Sequence, residues 1–418
     1  MDSSALGSPD PIHWAVAGRW VITGAGEPVS KGVVVGRGES IVEIRSDGQI
    51  PRGAHVHYAG DGVILPGLID CHVHLGGIHD PAEPSMMLSM LRASPELFTM
   101  WAARDARVTV EAGFTTVREC GARFVSAICA VRDAIQLGLC EGPRIVVGGW
   151  LSQTCGHLDR QMTGMVDRIE SGLADGPEQI RRQVRERLRE GADFIKVCAS
   201  NSPIADGHLP PLDEYSVEEL RAAVEAAHAG GVKVACHAES ERGILNALEA
   251  GVDTIEHGTF LTVEAAARMA ESGTILVPTL GVFPALVERL PRSLMKLSPE
   301  EAQGVLDRHL DSFQIARKAG VTVAMGSDTW RCLPHGENAA ELEVLVRHGM
   351  SPMEAIRSAT SVAAGALGLS RLGTLAPGKI GDVIVIDGNP LDDIGILRDT
   401  GKIVRVIRGG RCLVSREA

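Results

Sequence analysis

Two histidines one residue apart, His72 and His74, stand in "LPGLIDCHVHL" at the end of an apolar run that reads as a buried strand. Four more polar residues close or interrupt similar runs. Lys196 lies inside "FIKVCAS", His237 ends "VKVACHAE", His257 ends "TIEHGT" and Asp328 ends "VAMGSDTW". Taken singly, each has an ordinary reading: a lone histidine at a strand end is usually a satisfied polar residue. His13, His55, His57, His228, His309 and His348 stay in that class. Asp328 alone would serve as a helix N-cap, and Lys196 alone would reach solvent along its stem. Together, four imidazoles and a carboxylate make a nitrogen and oxygen donor set suited to Zn²⁺ or a similar divalent ion. The lysine is the discordant member, because an ammonium buried among metal ligands is costly. A neutral amine that reacts with CO₂ becomes a carbamate, which turns that cation into a bridging carboxylate.

The elements that must carry these residues alternate along the chain. Apolar strands are expected at Val63–Ile69, Thr115–Glu119, Arg144–Gly148, Phe194–Ala199, Lys233–Cys236, Thr254–Glu256, Ile275–Thr279 and Thr322–Met325. Amphipathic helical patterns lie between them, at Glu178–Glu190, Ser216–Ala229 and Thr262–Ser272 for example. Ser216 with Glu219 forms a capping box, and Thr262 is placed as an N-cap. "EAGFTT", "REGADF", "HAGGVKV", "EAGVDT" and "RKAGVTV" each set a glycine between helix and strand, where it ends the helix. Eight strands each followed by a helix predict an α/β fold, a parallel (β/α)8 TIM barrel. Barrel chemistry sits at the C-terminal ends of the strands, and all six polar residues stand there. The two chain ends are β-rich instead. Residues 1–60 and 370–418 are expected to pair into one small β-sandwich, leaving 61–369 as the barrel.

Composition narrows the partners. The net charge is 41 − 53 = −12, which argues against nucleic acid or an anionic membrane surface. Hydrophobic residues make up 44% but aromatics only 3%, so the core must be aliphatic. The first apolar run, Trp14 to Ile22, is short and broken by Gly18 and Arg19, so neither a signal peptide nor a membrane span is expected. Nine cysteines without a CxxC pair fit free thiols in a reducing cytoplasm better than a disulfide framework. The expectation is a cytoplasmic enzyme, a homo-oligomer, acting on a small molecule.

The constellation resembles the amidohydrolase superfamily of metal-dependent hydrolases. "DCHVH", "IKVCAS", "CHAE", "EHGT" and "GSDT" carry the resemblance on strands one, four, five, six and eight. "HGENAAELEVLVRHGMSPMEAIRSATSVAAGALGL" and "GTLAPGKIGDVIVIDGNPL" are similar to its imidazolonepropionase and prolidase-like branch. The resemblance implies two divalent ions, with zinc expected. His72, His74 and Asp328 would hold the buried ion, His237 and His257 the other, and a carbamate on Lys196 would bridge them. Asp328, Lys196 and His257 form the implied catalytic set. A hydroxide between the ions would attack, while Asp328 takes its proton and passes it to the leaving nitrogen.

The implied activity is cleavage of an amide or related C–N bond in a dipeptide, an N-acyl amino acid or a cyclic amide. Deamination and carbamate, urea or ester cleavage remain alternatives on the same scaffold. Glu239, two residues after His237, disfavours deamination, because deaminases of the superfamily place an acid three residues on. A non-catalytic scaffold would be expected to lose ligands, and all six are kept. Substrate-binding candidates come from the loops: His157 in "LSQTCGHLDRQMTG", which resembles the "TGGHGD" loop of prolidase-like relatives, with Tyr215, Arg331 and His335. In "SNSPIADGHLPPLDEYS", Asn201 and His208 join Tyr215 as residues that could shape the pocket. Tyr215 would bond an oxyanion or a carboxylate, or else make a structural loop contact.

Overall fold

The computed structural model describes residues 13–76, 93–157, 172–289, 296–330 and 332–417. Seven parallel strands form a nearly closed barrel, in spatial order from Leu68–Val73 through Phe114–Glu119, Arg144–Leu151, Phe194–Cys198, Val234–Ala238 and Thr254–His257 to Ile275–Val277. The expected eighth strand is present only as single bridges. Val323 bridges Leu276 on one side and Thr329 bridges Val73 on the other, both in parallel sense. Cys71 N–H to the Met325 carbonyl at 3.0 Å and Asp328 N–H to the His72 carbonyl at 2.7 Å complete the seam. Gly326 explains the tightness: a Cβ there would lie 2.4 Å from Val277 Cγ1 and 2.9 Å from His72 Cβ.

One predicted strand divides into two. Val63–Pro66 belongs to a different sheet, and the barrel strand starts at Leu68. Between them Gly67 crosses so close to the next barrel strand that a Cβ would meet Thr115 Oγ1 at 2.2 Å. An apolar run cannot reveal such a crossing, because both sheets bury their strands.

The helices between strands follow the expected signals. Ser216 and Glu219 cap Val217–Ala229 reciprocally, and Thr262 accepts the Ala265 N–H at the start of Val263–Ser272. Gly191 and Gly251 end their helices in the left-handed conformation, at φ 103° and 88°. Two residues later in each case an aspartate binds the neighbouring strand. Asp193 Oδ2 accepts the Val147 N–H and Asp253 Oδ2 accepts the Val234 N–H, both at 2.8 Å. These ties sit at the N-terminal face of the barrel, opposite the site, where they serve stability.

The chain ends build two more sheets. Ser40–Arg45, Val33–Arg37, His13–Ala17 and His55–Ala59 form one in that order. Arg411–Ser415, Ile403–Arg408, Val383–Ile386, Val63–Pro66, Trp20–Val21 and Val29–Ser30 form the other. One buried cluster joins Trp14, Val16, Val34 and Ile64 to Val383, Val385, Val404 and Ile407. Among the described residues no helix is long and apolar enough to cross a membrane.

Candidate metal centre and active site

The barrel register brings the rim residues together. Lys196 lies beside Trp150 and Ala235, His237 beside Cys198 and Glu256, and His257 beside Ala238. Ring centroids are 5.3 Å apart for His72–His74, 5.0 Å for His72–His257 and 4.7 Å for His237–His257, so the four imidazoles form one patch. Asp328 Oδ1 approaches His74 Nε2 to 3.1 Å and His72 Nε2 to 3.7 Å. One donor atom from each of His72, His74 and Asp328 lies within 4.8 Å of the others, close enough to hold an ion. His257 and Asp328 both take positive φ, at 68° and 52°, a region most residues avoid. These turns at the strand ends aim both side chains at the rim.

Whether the residues suit divalent ions can be tested on their polar atoms. Lys196 Nζ and His237 Nε2 are buried without a hydrogen-bond partner, and beside them Asp328 Oδ1 faces the Nε2 atoms of His74 and His72. Buried polar atoms are nearly always paired, so two orphans in one constellation, an imidazole nitrogen and an amine that becomes an acceptor once neutral, suit a site built for metal ions. Burial, reinforced by neighbouring positive charges including Lys196, drives His72, His237 and His257 well below the usual histidine range. Neutral imidazole is the form that binds metal. The donor set fits.

The next layer of residues decides which ring nitrogen faces the site. His72 Nδ1 meets Glu256 Oε2 at 2.7 Å, His74 Nδ1 meets the Gly121 carbonyl at 2.8 Å, and His257 Nδ1 meets Thr279 Oγ1 at 2.7 Å. The carboxylate and the carbonyl only accept, so His72 and His74 keep Nε2 for an ion, as partners behind metal ligands commonly do, whereas the Thr279 hydroxyl can donate or accept. Glu256 is itself held by Arg118 Nη2, donating at 2.7 Å. Asp70 ties the first strand to the eighth: it accepts from His72 N at 3.0 Å, Ser327 N at 3.0 Å and Asn338 Nδ2 at 2.8 Å. Burial pushes its carboxyl up to about 6 despite those bonds. Sequence reasoning missed this layer. Asp70 and Glu256 stand inside "DCHVH" and "EHGT", while Gly121 and Thr279 carry no signal of their own.

The substrate candidates separate. The His157 ring stacks on His237 at 4.4 Å, with Nδ1 2.6 Å from Asp206 Oδ2. Burial works to lower its affinity for a proton, but Asp206, Glu214 and Glu239 raise it above the usual value. Tyr215 is buried in the main core with its hydroxyl donating to the Ala174 carbonyl at 2.9 Å, so the phenol's one hydrogen is already used. His335 is also buried and engaged: Nε2 lies 3.0 Å from the His74 carbonyl and Nδ1 3.1 Å from Thr109 Oγ1, supporting the segment that carries His74. Arg331 lies outside the described residues. Asn201 Oδ1 accepts the Leu212 N–H, which shapes the loop after Lys196.

The Amidohydrolase family model matches residues 63–413. The chain belongs to this family. It resembles ochratoxinase of Aspergillus niger, 32% identical over 416 residues, covering 94% of this chain and 84% of that protein. The crystal structure of that ochratoxinase superposes with a TM-score of 0.86, covering 97% of this chain and 96% of the other. A Xaa-Pro dipeptidase solved with methionine in its active site gives 0.86 at 30% identity, over 96% and 100%. A prolidase complexed with N-methylphosphonate-L-proline gives 0.84 at 31%, over 97% and 100%. As a family member with such relatives, the chain is a hydrolase acting on C–N bonds.

Proposed function

We propose that this amidohydrolase cleaves an amide bond to the nitrogen of an amino acid, in a dipeptide or an N-acyl amino acid, with a cyclic amide as the nearest variant. The observation that carries the reading is the gathering on one rim of two buried, unpartnered atoms, Lys196 Nζ and His237 Nε2, with the Asp328 carboxylate between His72 and His74. His72, His74 and Asp328 would hold one divalent ion and His237 with His257 a second, zinc being expected from the donor types. Lys196, as a carbamate formed from its neutral amine and CO₂ with loss of a proton, would serve both. When bound, the ions supply Lewis acidity, lowering the pKa of water and polarising the scissile carbonyl.

The chain's own residues do the rest. Burial opposes ionisation of Asp328, but His72 and His74 hold its carboxyl below the usual carboxylate range. It is therefore ready to accept a proton at Oδ1 and deliver it to the leaving nitrogen. His157, propped by Asp206, would donate to a substrate carbonyl or carboxylate beside His237 and fix the bond for attack. The names of the relatives support the substrate class: a dipeptidase and a prolidase act on dipeptides.

The test is a screen of zinc-loaded protein against Xaa-Pro dipeptides, N-acyl amino acids and their C-terminal amides. Turnover of the free acids, with kcat/KM reduced in His157→Asn more for the acid than for its neutral amide, supports the reading. Release of ammonia from amino-heterocycles in place of amide cleavage would replace it with deamination.

A further inference from the structure

Thr279 follows the seventh barrel strand at φ 51°. A β-branched residue in the left-handed region is a true outlier, so something must hold it there. The structure shows what does. Glu341, fully buried on the helix Ala340–Arg347, places one carboxyl oxygen on each of the next two backbone N–H groups: Leu280 at 2.9 Å and Gly281 at 2.6 Å. Two acceptors on consecutive donors leave the turn no freedom to rotate. Gly281 permits the approach, since a Cβ there would already lie 3.1 Å from Glu341 Oε2. The product of this clamp is the position of one oxygen, Thr279 Oγ1, 2.7 Å from His257 Nδ1.

A contact of that length holds one hydrogen. If it belongs to His257 Nδ1, the Nε2 lone pair is free to bind an ion. If the threonine donates instead, Nε2 carries the hydrogen and His257 cannot ligate. We propose that Glu341 and Thr279 are positioning residues that select the ligating tautomer of His257, with Thr279 as acceptor and Glu341 holding it in the strained turn. The consequence for zinc rests on the two-ion reading above, but the tautomer itself does not.

Three variants separate the roles. Thr279→Val keeps the shape and removes the acceptor, Thr279→Ser keeps the oxygen, and Glu341→Gln places an amide where one backbone N–H needs an acceptor. In metal-free protein labelled with ¹⁵N-histidine, the His257 signal is assigned by its loss in His257→Asn. It should report hydrogen on Nδ1 in wild type and Thr279→Ser, and a mixture of tautomers in Thr279→Val. Chelator competition should then show zinc affinity at one site falling ten- to a hundredfold in Thr279→Val, with Thr279→Ser within threefold of wild type. Glu341→Gln should fall between them; if it fails to fold, the threonine pair still decides.

An Nε2-protonated His257 in metal-free wild type overturns the proposal. So does equal loss of zinc affinity in Thr279→Ser and Thr279→Val, which would mean that only the fold of the turn matters. Wild type that binds no zinc while His257 keeps its Nδ1 hydrogen would remove the two-ion reading and leave the tautomer selection standing.

Discussion

Asp328 Oδ1 lies 3.1 Å from His74 Nε2, and its backbone is left-handed at φ 52°. The conformation matters for testing the residue, because asparagine is among the few types that enter this region readily. Asp328→Asn therefore changes the proton chemistry without disturbing the turn. Asp70 holds Ser327 next to it, and the substitution leaves that anchor intact. Turnover should fall by about 10²- to 10⁴-fold, the usual contribution of a positioned acid or base. Metal analysis should find at least one ion retained. A variant with near-normal kcat would pass the proton role to Glu239 or His157.

Lys196 makes the second prediction. Its Nζ is buried with no hydrogen-bond partner, in a barrel whose neighbouring rim residues are imidazoles. Native mass spectrometry of zinc-loaded protein should show about 44 Da added at Lys196, with about two ions per chain. Lys196→Met should lose the added mass and bind the second ion weakly. An unmodified lysine in a preparation holding a full complement of metal would mean that the bridge does not form.

How much of this was legible depended on whether a residue's role shows in its own neighbourhood. The gathering of the rim residues was legible, because a histidine, lysine or aspartate at or near the end of an apolar run is an anomaly visible within a few residues. The helix caps were legible for the same reason: Ser216 and Glu219 lie one turn apart. The supporting layer was not. Glu256 acts on His72 from another strand, and Glu341 acts on Thr279 through sixty residues of intervening chain. For Tyr215 and His335 the partners were not legible, because a polar ring near a loop looks available until its hydrogen bonds are seen. The sheet change at Gly67 was hidden for a geometric reason, since a crossing between two buried strands leaves the apolar pattern unbroken.

Asp253 gives a prediction about stability and pH. Burial opposes its ionisation, but bonds from His228 and the Val234 N–H, with Lys233 nearby, hold its carboxyl below the usual value. A carboxyl depressed in the folded state stabilises above its unfolded value of about 4 and loses that contribution as pH falls through the lower folded value. Asp253→Asn should cost about 1 kcal/mol at pH 7, the solvent-facing side of the pair being screened. Urea midpoints of wild type and variant should converge by about pH 3. A gap that persists in acid would assign the effect to hydrogen-bond geometry rather than charge.

The last prediction concerns the two ends of the chain, which we propose fold as one unit beside the barrel. Val383–Ile386 pairs antiparallel with Val63–Pro66, matching Val383 to Pro66 and Ile386 to Val63. The all-N-terminal sheet is bound to the tail as well. Ile41 N–H donates to the Lys379 carbonyl at 2.8 Å, Arg405 Nε donates to the His57 carbonyl at 2.9 Å, and His57 Nε2 meets the Gly410 carbonyl at 3.0 Å. Removing residues 389–418 takes away Ile403, Val404, Val406 and Ile407, all fully buried. At about 1.5–3 kcal/mol for each buried aliphatic side chain, the loss approaches the whole stability of an ordinary domain. Hydrogen exchange should therefore accelerate at Val33–Arg37 and Val63–Pro66, far from the cut in sequence. Ile407→Ala, costing about 2–5 kcal/mol by its cavity, should produce the same pattern in milder form if the truncated chain does not fold. Exchange at Val33–Arg37 unchanged in both proteins would show that the N-terminal sheet stands alone and that the two ends are separate units.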